Sequence, residues 1–382
     1  MTNNDDFLPY GHQLTDESDV QAVASVMRSD WLTQGPKVQE FEAKLAEFFD
    51  ATYAVTFSNG TAALHGAYFA AGVKHGDIVL TTPITFAASA NAALFLGAEV
   101  QFVDVEPDTV NMDVSLLEEK ITKRTKAILP VDFAGQPVDL DEVREIATRH
   151  DLTVIEDACH AIGSSYKGQK IGSISDLTTF SFHPVKNITT GEGGAVLTNS
   201  ASFAKKLSLF RNHGIEKEID RTRRNKSPWY YEMLFLGHNY RLTDMQCALG
   251  ISQLKKLNYF VSRRREIARR YDEAFSAIHG LETPSERPDR VSAWHIYVVK
   301  LDLQIIDKTR EEIFKELRAQ GIGVQVHYIP VYWHPYYQQI GFEKGTCPVA
   351  EKYYESALTL PLFPAMTHDD IERVITAVKA TF

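Results

Sequence analysis

Short apolar runs alternate with longer amphipathic segments through the first half of the chain. Tyr53–Phe57, Ile78–Thr82, Val100–Asp104, Ala127–Val131 and Leu152–Glu156 each predict a strand followed by a helix-like stretch. Strands spaced by crossovers of helical length predict a mostly parallel sheet covered on both faces. Two helices are expected ahead of it. Thr15, followed by Asp16 and Glu17, offers an N-cap and an acidic first turn for a helix to about Arg28. Pro36 after Gly35 opens the second, with Val38, Phe41, Leu45 and Phe48 on one apolar face. Phe86–Ala98 reads as a buried helix, and Leu177–Phe182 and Ala195–Thr198 as two further strands around a glycine-rich turn. From Met245 to about Phe275 the pattern is long and helical. Beyond Ile278 a strand (Trp294–Leu301), a helix (Arg310–Gln320) and a last helix near Asp369–Thr381 follow. The expected organisation is α/β, with a large domain over residues 1–250 and a linking helix plus a smaller C-terminal α/β domain over 251–382.

Composition narrows the class of function. The 382 residues are 44% hydrophobic, enough for a sizeable core, and no segment has the composition of disorder. A formal net charge of −10 argues against nucleic acid as the partner, because phosphate-backbone binding needs a basic face. Cys159, Cys247 and Cys347 lie far apart with no CxxC pair, so neither a disulfide framework nor a thiolate metal site is expected. The start MTNNDDFLPYGHQ lacks the basic and apolar regions of a signal peptide, and Phe86–Ala98 is too short to span a bilayer. A cytoplasmic enzyme with no membrane association is the expectation.

Chemistry concentrates in SFHPVKNITTGEGG, residues 181 to 194. Lys186 sits there on a loop between two apolar strands, where an amine is costly to desolvate unless it is neutralised or paired. An amine that loses its proton in this way can form a Schiff base with a carbonyl cofactor, which makes pyridoxal 5'-phosphate (PLP) the candidate cofactor. In a parallel sheet, ligands gather at the carboxyl ends of the strands. Ser58-Asn59-Gly60-Thr61 follows a strand and opens a helix at Thr61, so its backbone N–H groups could hold a phosphate or simply form an N-cap. Glu156-Asp157 ends an apolar strand. Asp157 could keep a cofactor ring nitrogen protonated, or cap a neighbouring helix. His160 could meet the cofactor or pack structurally, and Phe86 could stack on an aromatic ring or belong to the core. Asn239 and Arg241 lie in LGHNYRLTD ahead of the long helical region, and His327-Tyr328 ends a strand-like run. The basic loop Arg221 to Tyr231 could meet an anionic substrate or be a solvated loop. SRRREIARR reads as a solvated helix face.

Taken together, LTQGP, SNGTAAL, TPITFAASANA, GAEVQFVDVEPDTVNMD, IEDACHAIGSSYKG, FSFHPVKNITTGEGGAV, GHNYRLTDMQCALGISQLKKL, WHIYVV, VHYIPV and LPLFPAM resemble the DegT/DnrJ/EryC1/StrS family in order, from about residue 9 to 375. These are PLP-dependent nucleotide-sugar aminotransferases. The resemblance implies fold type I, the aspartate aminotransferase-like PLP-dependent transferase fold, with a seven-stranded, mostly parallel sheet. It implies Lys186 as the Schiff-base lysine, Asp157 at the ring nitrogen, His160 near the phenolic oxygen, where many members have glutamine, and Phe86 stacked on the ring. Gly60, Thr61 and Ser181 match the phosphate contacts, and Asn239 matches a phosphate contact supplied by the neighbouring subunit, which implies a homodimer with shared active sites. Gly35, Arg241, His327 and Tyr328 are the implied substrate contacts. Members that dehydrate carry histidine in place of the lysine, so Lys186 implies transamination. Within the family, FSFHPVK with TTGEGGAV, PWYYEMLFLGHNYRLTD and VQVHYIPVYW most resemble the transaminases of pseudaminic acid biosynthesis, which implies L-glutamate as donor and a UDP-linked 4-keto-6-deoxy-N-acetylhexosamine as acceptor. Another UDP- or dTDP-linked keto sugar, aminated at C3 or C4, is the alternative, and a non-catalytic PLP-binding regulator a distant one.

Overall fold

A computed structural model describes residues 7–217 and 227–382 of the chain. The expected alternation is present. After α1 (Glu17–Met27) and α2 (Pro36–Phe48) come β1 (Tyr53–Phe57), α3 (Gly60–Ala70), β2 (Ile78–Thr81), α4 (Ala88–Leu94), β3 (Glu99–Phe102) and β4 (Thr125–Leu129). Then follow α5 (Leu140–Arg149), β5 (Thr153–Asp157), β6 (Leu177–Ser181), β7 (Gly194–Thr198) and α6 (Ala201–Phe210). The seven strands form one sheet in the order β1-β7-β6-β5-β4-β2-β3. β6, β5, β4, β2 and β3 run parallel, and β7 is antiparallel to both neighbours. The sheet is therefore mostly parallel, as expected.

Period-two alternation divides the strand side chains between two cores, as a sheet buried on both faces requires. Val55, Phe57, Val79, Ala127, Leu129, Ile155 and Val196 point to one side, where α3 and α4 cover them. Ala54, Ile78, Leu80, Ile128, Val154, Phe180, Ala195 and Leu197 point to the other, covered by α2 and α5. A third core belongs to the C-terminal part. There the strand Tyr297–Leu301 pairs antiparallel with Leu281–Glu282 and Ala357–Leu360, beneath the helices Arg310–Ala319 and His368–Thr381. Leu8 joins this core, with its N–H donating to the Gly321 carbonyl at 2.9 Å, so the N-terminal segment packs on the C-terminal part. The division expected at 250/251 falls inside α7 (Asp244–Leu254), which packs against α1 and α2.

Several local expectations are corrected. The N-cap of α1 is Asp16, not Thr15: its carboxylate accepts from Ser18 and Asp19 N–H, and Asp19 completes a capping box. In α2 the apolar face is Val38, Phe41 and Leu45 with Phe49 just beyond the helix, while Phe48 is only half-buried. The helix expected over Phe86–Ala98 is only seven residues long, and Phe86 and Phe95 at its flanks are exposed. The long helical run is two helices, α7 and α8 (Leu257–Phe275). The arginine-rich stretch in α8 is not wholly solvated, since Arg264 is 1% exposed. Its guanidinium Nη1 donates to the carbonyls of Trp294, His295 and Leu362, which stand in for a counter-ion. His327 and Tyr328 follow a single bridge (Gln325 to Thr359) rather than a strand.

Candidate active site

The carboxyl ends of β1, β2, β5 and β6 open on one cavity of about 720 Å³, within the range of small-molecule sites. Gly60, Thr61, Phe86, Asp157, His160, Ser181, Lys186, His327 and Tyr328 all line it. Nine of the residues singled out in the sequence thus meet at one place, brought there from five separate segments.

The β1–α3 turn shows why the chain is glycine-rich here. Asn59 caps α3, its side chain accepting from Ala62 N–H at 2.8 Å. A Cβ on Gly60 would lie 2.9 Å from the Ser181 Cβ, and one on Gly194 would lie 2.6 Å from the Asn59 carbonyl oxygen. Gly60 lets the start of α3 close onto the end of β6, and Gly194 lets it close onto the start of β7. The helix N-terminus and the Ser181 hydroxyl then face the same end of the cavity, a donor-rich cradle suited to a phosphate.

At the end of β5, Asp157 is buried. Its Oδ2 accepts from the Ser89 hydroxyl at 2.6 Å and its Oδ1 from Cys159 N–H at 3.2 Å. Ser89 is in turn 2.7 Å from the Thr85 hydroxyl. The carboxylate does not cap a helix; it lines the cavity.

Lys186 follows β6 on a short turn, its N–H donating to the His183 carbonyl at 2.9 Å. The side chain is partly exposed, and it lines the cavity. Among the described residues the hydrogen-bond partner of its Nζ is His295 Nε2, at 3.4 Å. Desolvation lowers the pKa of the amine, with Arg264 adding to the effect and Cys159 and Asp157 opposing it. Three buried histidines surround this lysine. The rings of His160 and His295 meet at a tilt of 47° with centroids 4.3 Å apart, and the Tyr328 hydroxyl lies 3.2 Å from His160 Nε2. His327 Nδ1 lies 2.8 Å from the Thr359 hydroxyl. Burial, then the charge of Lys186, holds all three imidazoles below their usual pKa, His327 at about 3. A depressed amine among neutral imidazoles can shuttle a proton without competition from a nearby charged histidine.

Phe86 is 63% exposed, which corrects any core role: its ring forms part of the cavity wall, with its centroid 6.5 Å from that of Tyr328. Three expected residues do not line this cavity. Gly35 N–H donates to Asp244 Oδ2 at 2.8 Å, and a Cβ there would come within 2.5 Å of the Trp31 Cβ, so packing against Trp31 and Asp244 accounts for the glycine. Arg241 Nη1 donates to Asn212 Oδ1 at 2.7 Å, which holds the guanidinium beside α6. Asn239 forms an isolated antiparallel bridge with Asn212. Residues 221–226 of the basic loop lie outside the described residues.

Sequence reasoning missed His295, Ser89 and Tyr10. His295 lies in WHIYVV and Ser89 in TPITFAASANA, segments that carried the resemblance, but neither residue has a motif of its own. Tyr10, with its ring centroid 5.2 Å from that of His327, reaches the cavity because the N-terminal segment packs on the C-terminal part.

The cavity fits PLP. It offers a lysine, a hydrogen-bonded carboxylate for a ring nitrogen, an aromatic face and a helix N-terminus for a phosphate, while the buried His160 Nδ1 has no partner among the described residues. Comparison with known proteins agrees. The chain is 42% identical over 370 residues to the UDP-4-amino-4,6-dideoxy-N-acetyl-beta-L-altrosamine transaminase of Campylobacter jejuni serotype O:23/36, covering 96% of this chain and 95% of that one. Its structure matches that of Helicobacter pylori PseC, an aminotransferase involved in the biosynthesis of pseudaminic acid, with a TM-score of 0.92 and 33% identity over 98% of this chain and 99% of that one. It also matches the PLP form of a Streptococcus pneumoniae protein described as a sugar aminotransferase, with a TM-score of 0.90 and 29% identity over 98% of this chain and 100% of that one. Residues 13–379 match the DegT/DnrJ/EryC1/StrS aminotransferase family, to which this chain therefore belongs, as a sugar aminotransferase whose cofactor is PLP.

Proposed function

We propose that the protein transfers the amino group of L-glutamate to C4 of a UDP-linked 4-keto-6-deoxy-N-acetylhexosamine, forming UDP-4-amino-4,6-dideoxy-N-acetyl-β-L-altrosamine for pseudaminic acid biosynthesis. The observation that carries this reading is the lysine of depressed pKa facing Asp157 across one cavity, in a chain 42% identical to a transaminase named for that product.

When bound, PLP supplies a carbonyl that condenses with amines and a pyridinium ring that delocalises negative charge from the adjacent carbon. The chain's own residues do the rest. The N-terminus of α3 at Gly60 and Thr61, with the Ser181 hydroxyl, would hold the phosphate. Phe86 would cover the ring face. Asp157, kept in place by Ser89 and by Cys159 N–H, would keep the ring nitrogen protonated. His160, whose Nε2 lies 3.2 Å from the Tyr328 hydroxyl, would meet the phenolic oxygen. Lys186 Nζ, once its amine is free, would take the α-proton of the donor and deliver a proton to the carbon that had carried the cofactor's carbonyl; its lowered pKa leaves it unprotonated at lower pH than an ordinary lysine. His327 and Tyr328 border the space left for the sugar.

The reading includes a homodimer, with Asn239 completing the phosphate site of the other subunit and Gly35 and Arg241 reaching its substrate. Its support is the apolar ribbon ahead of Asn239, where Trp229, Tyr231, Met233, Leu234 and Leu236 are exposed. A run of that kind on a water-facing surface marks an interface. The reading also includes a cytoplasmic location, and no helix among the described residues is long and apolar enough to cross a membrane.

The test is direct. Purified protein is incubated with glutamate and a panel of UDP- and dTDP-linked 3- and 4-keto sugars, and the products are assigned by NMR. Amination at C4 of the UDP-linked 4-keto-6-deoxy-N-acetylhexosamine with the altro configuration is expected. A preferred dTDP sugar overturns the substrate and leaves the aminotransferase.

A further inference from the structure

His295 has no role in the reading above, yet the fold is built to hold its ring against Lys186. The residue before it, Trp294, has φ of +47°, a left-handed conformation that a bulky side chain adopts only when its surroundings impose it. The backbone of His295 is pinned on both sides. Its N–H donates to the Ala134 carbonyl at 2.9 Å, and its carbonyl accepts from Arg264 Nη1 at 2.9 Å. The imidazole is 4% exposed, and its Nδ1 has no hydrogen-bond partner among the described residues. The ring is therefore located by its backbone and by a tilted contact with the His160 ring, with Nε2 left 3.4 Å from Lys186 Nζ.

We propose that His295 is a positioning residue for Lys186: its Nε2 accepts a hydrogen bond from the lysine ammonium whenever that amine is not bonded to a carbonyl, and so holds Nζ at a fixed point of the cavity wall. The inference rests on the PLP reading of the site. The groups that face this pair are His160, His327, Cys159, Asp157 and Arg264. Burial and the Lys186 charge keep the imidazole neutral, so it acts as an acceptor and not as a competing cation. Trp294 and the clamp from Arg264 then have a purpose that packing alone does not give them. They aim one ring nitrogen from the C-terminal part at a lysine more than a hundred residues earlier in the chain.

The experiment follows imine formation by absorbance when PLP is added to the full-length chain stripped of cofactor, as a function of pH. The rate rises as Lys186 loses its proton. His295→Phe, which keeps the ring volume without an acceptor, is expected to lower the midpoint by about one pH unit, the size of one hydrogen bond to a charged group, because the ammonium loses its acceptor. His295→Gln, which can reach Nζ, keeps the wild-type midpoint. His295→Asn, which is too short, behaves like Phe. If the Phe variant does not fold, the Gln and Asn pair carries the comparison. An unmoved or raised midpoint in Asn and Phe, or an equal shift in Gln, overturns the proposal. A wild-type chain that forms no imine, or a Lys186→Ala chain that still does, overturns the PLP reading instead.

Discussion

The cavity floor and the apolar ribbon ahead of Asn239 are opposite kinds of surface. On the floor, Asp157, His160, His295 and His327 are all buried side chains that line the cavity. On the ribbon, Trp229 and Leu236 are each 78% exposed, and Glu232–Met233 between them pairs antiparallel with Ile215–Glu216. Polar groups are inside and apolar ones outside, the reverse of what solvation favours for an isolated chain. The floor makes sense once a charged cofactor fills it. The ribbon is the surface to which the proposed dimer assigns the second subunit.

If this contrast is right, changes on the floor remove chemistry and leave assembly alone. Lys186→Ala is the most severe, expected to lower transamination by at least about 10⁴-fold with unchanged circular dichroism and assembly. Retained turnover would remove the lysine from the reaction. Asp157→Asn leaves a side chain of the same shape without the negative charge, and kcat should fall by about 10²–10³-fold as the ring nitrogen loses its proton. An Asn variant within a factor of two of wild type would disconnect Asp157 from the ring.

The ribbon should respond differently. Leu236→Glu places a charge at an apolar contact and is expected to shift the protein toward monomer in light scattering, with activity falling by about tenfold or more in parallel, because each site lacks Asn239 of the other subunit. A monomeric variant with full activity would break the idea of shared sites. A dimeric variant with full activity would place the interface elsewhere.

The smallest effect tests the floor through pH. His160, His295 and His327 have folded pKa values below the unfolded one, His327 at about 3. Groups depressed in this way stabilise the fold above the unfolded histidine value of about 6.5, and that stability is lost as pH falls toward the folded values. Thermal midpoints should therefore fall by several degrees between pH 7 and pH 5, and by less in His295→Phe, which titrates one imidazole fewer. Equal slopes in the two proteins would show that His295 is not held neutral by the fold.

Much of this floor was legible beforehand, for a local reason. Gly60-Thr61, Asp157, Ser181 and Lys186 each stand at a strand end or in the turn after it, so the strand pattern alone assigns them to the carboxyl edge of the sheet. Phe86, expected to stack on a ring or to join the core, lines the cavity instead of the core, and the helix expected around it is shorter because Phe95 mimics a core position. Arg264 was misread because a run of arginines looks solvated on every face. Only the packing of α8 beneath Trp294, His295 and Leu362 decides that one of them turns inward. Ser89 was missed because a serine in a helix has no signature until its Asp157 is known.

The sequence by itself determined the sheet, the cofactor chemistry and the family, since all three are encoded in short stretches where strand, turn and reactive residue are contiguous. The tertiary structure alone decided which residues join Lys186 from afar. His295 comes from the C-terminal part and Tyr10 from the N-terminal segment, and it left Gly35, Asn239 and Arg241 outside the cavity of their own chain. The physical reason is range. Periodicity and turn chemistry fix neighbours within a few residues, whereas contacts across more than a hundred residues depend on which faces the cores bury together.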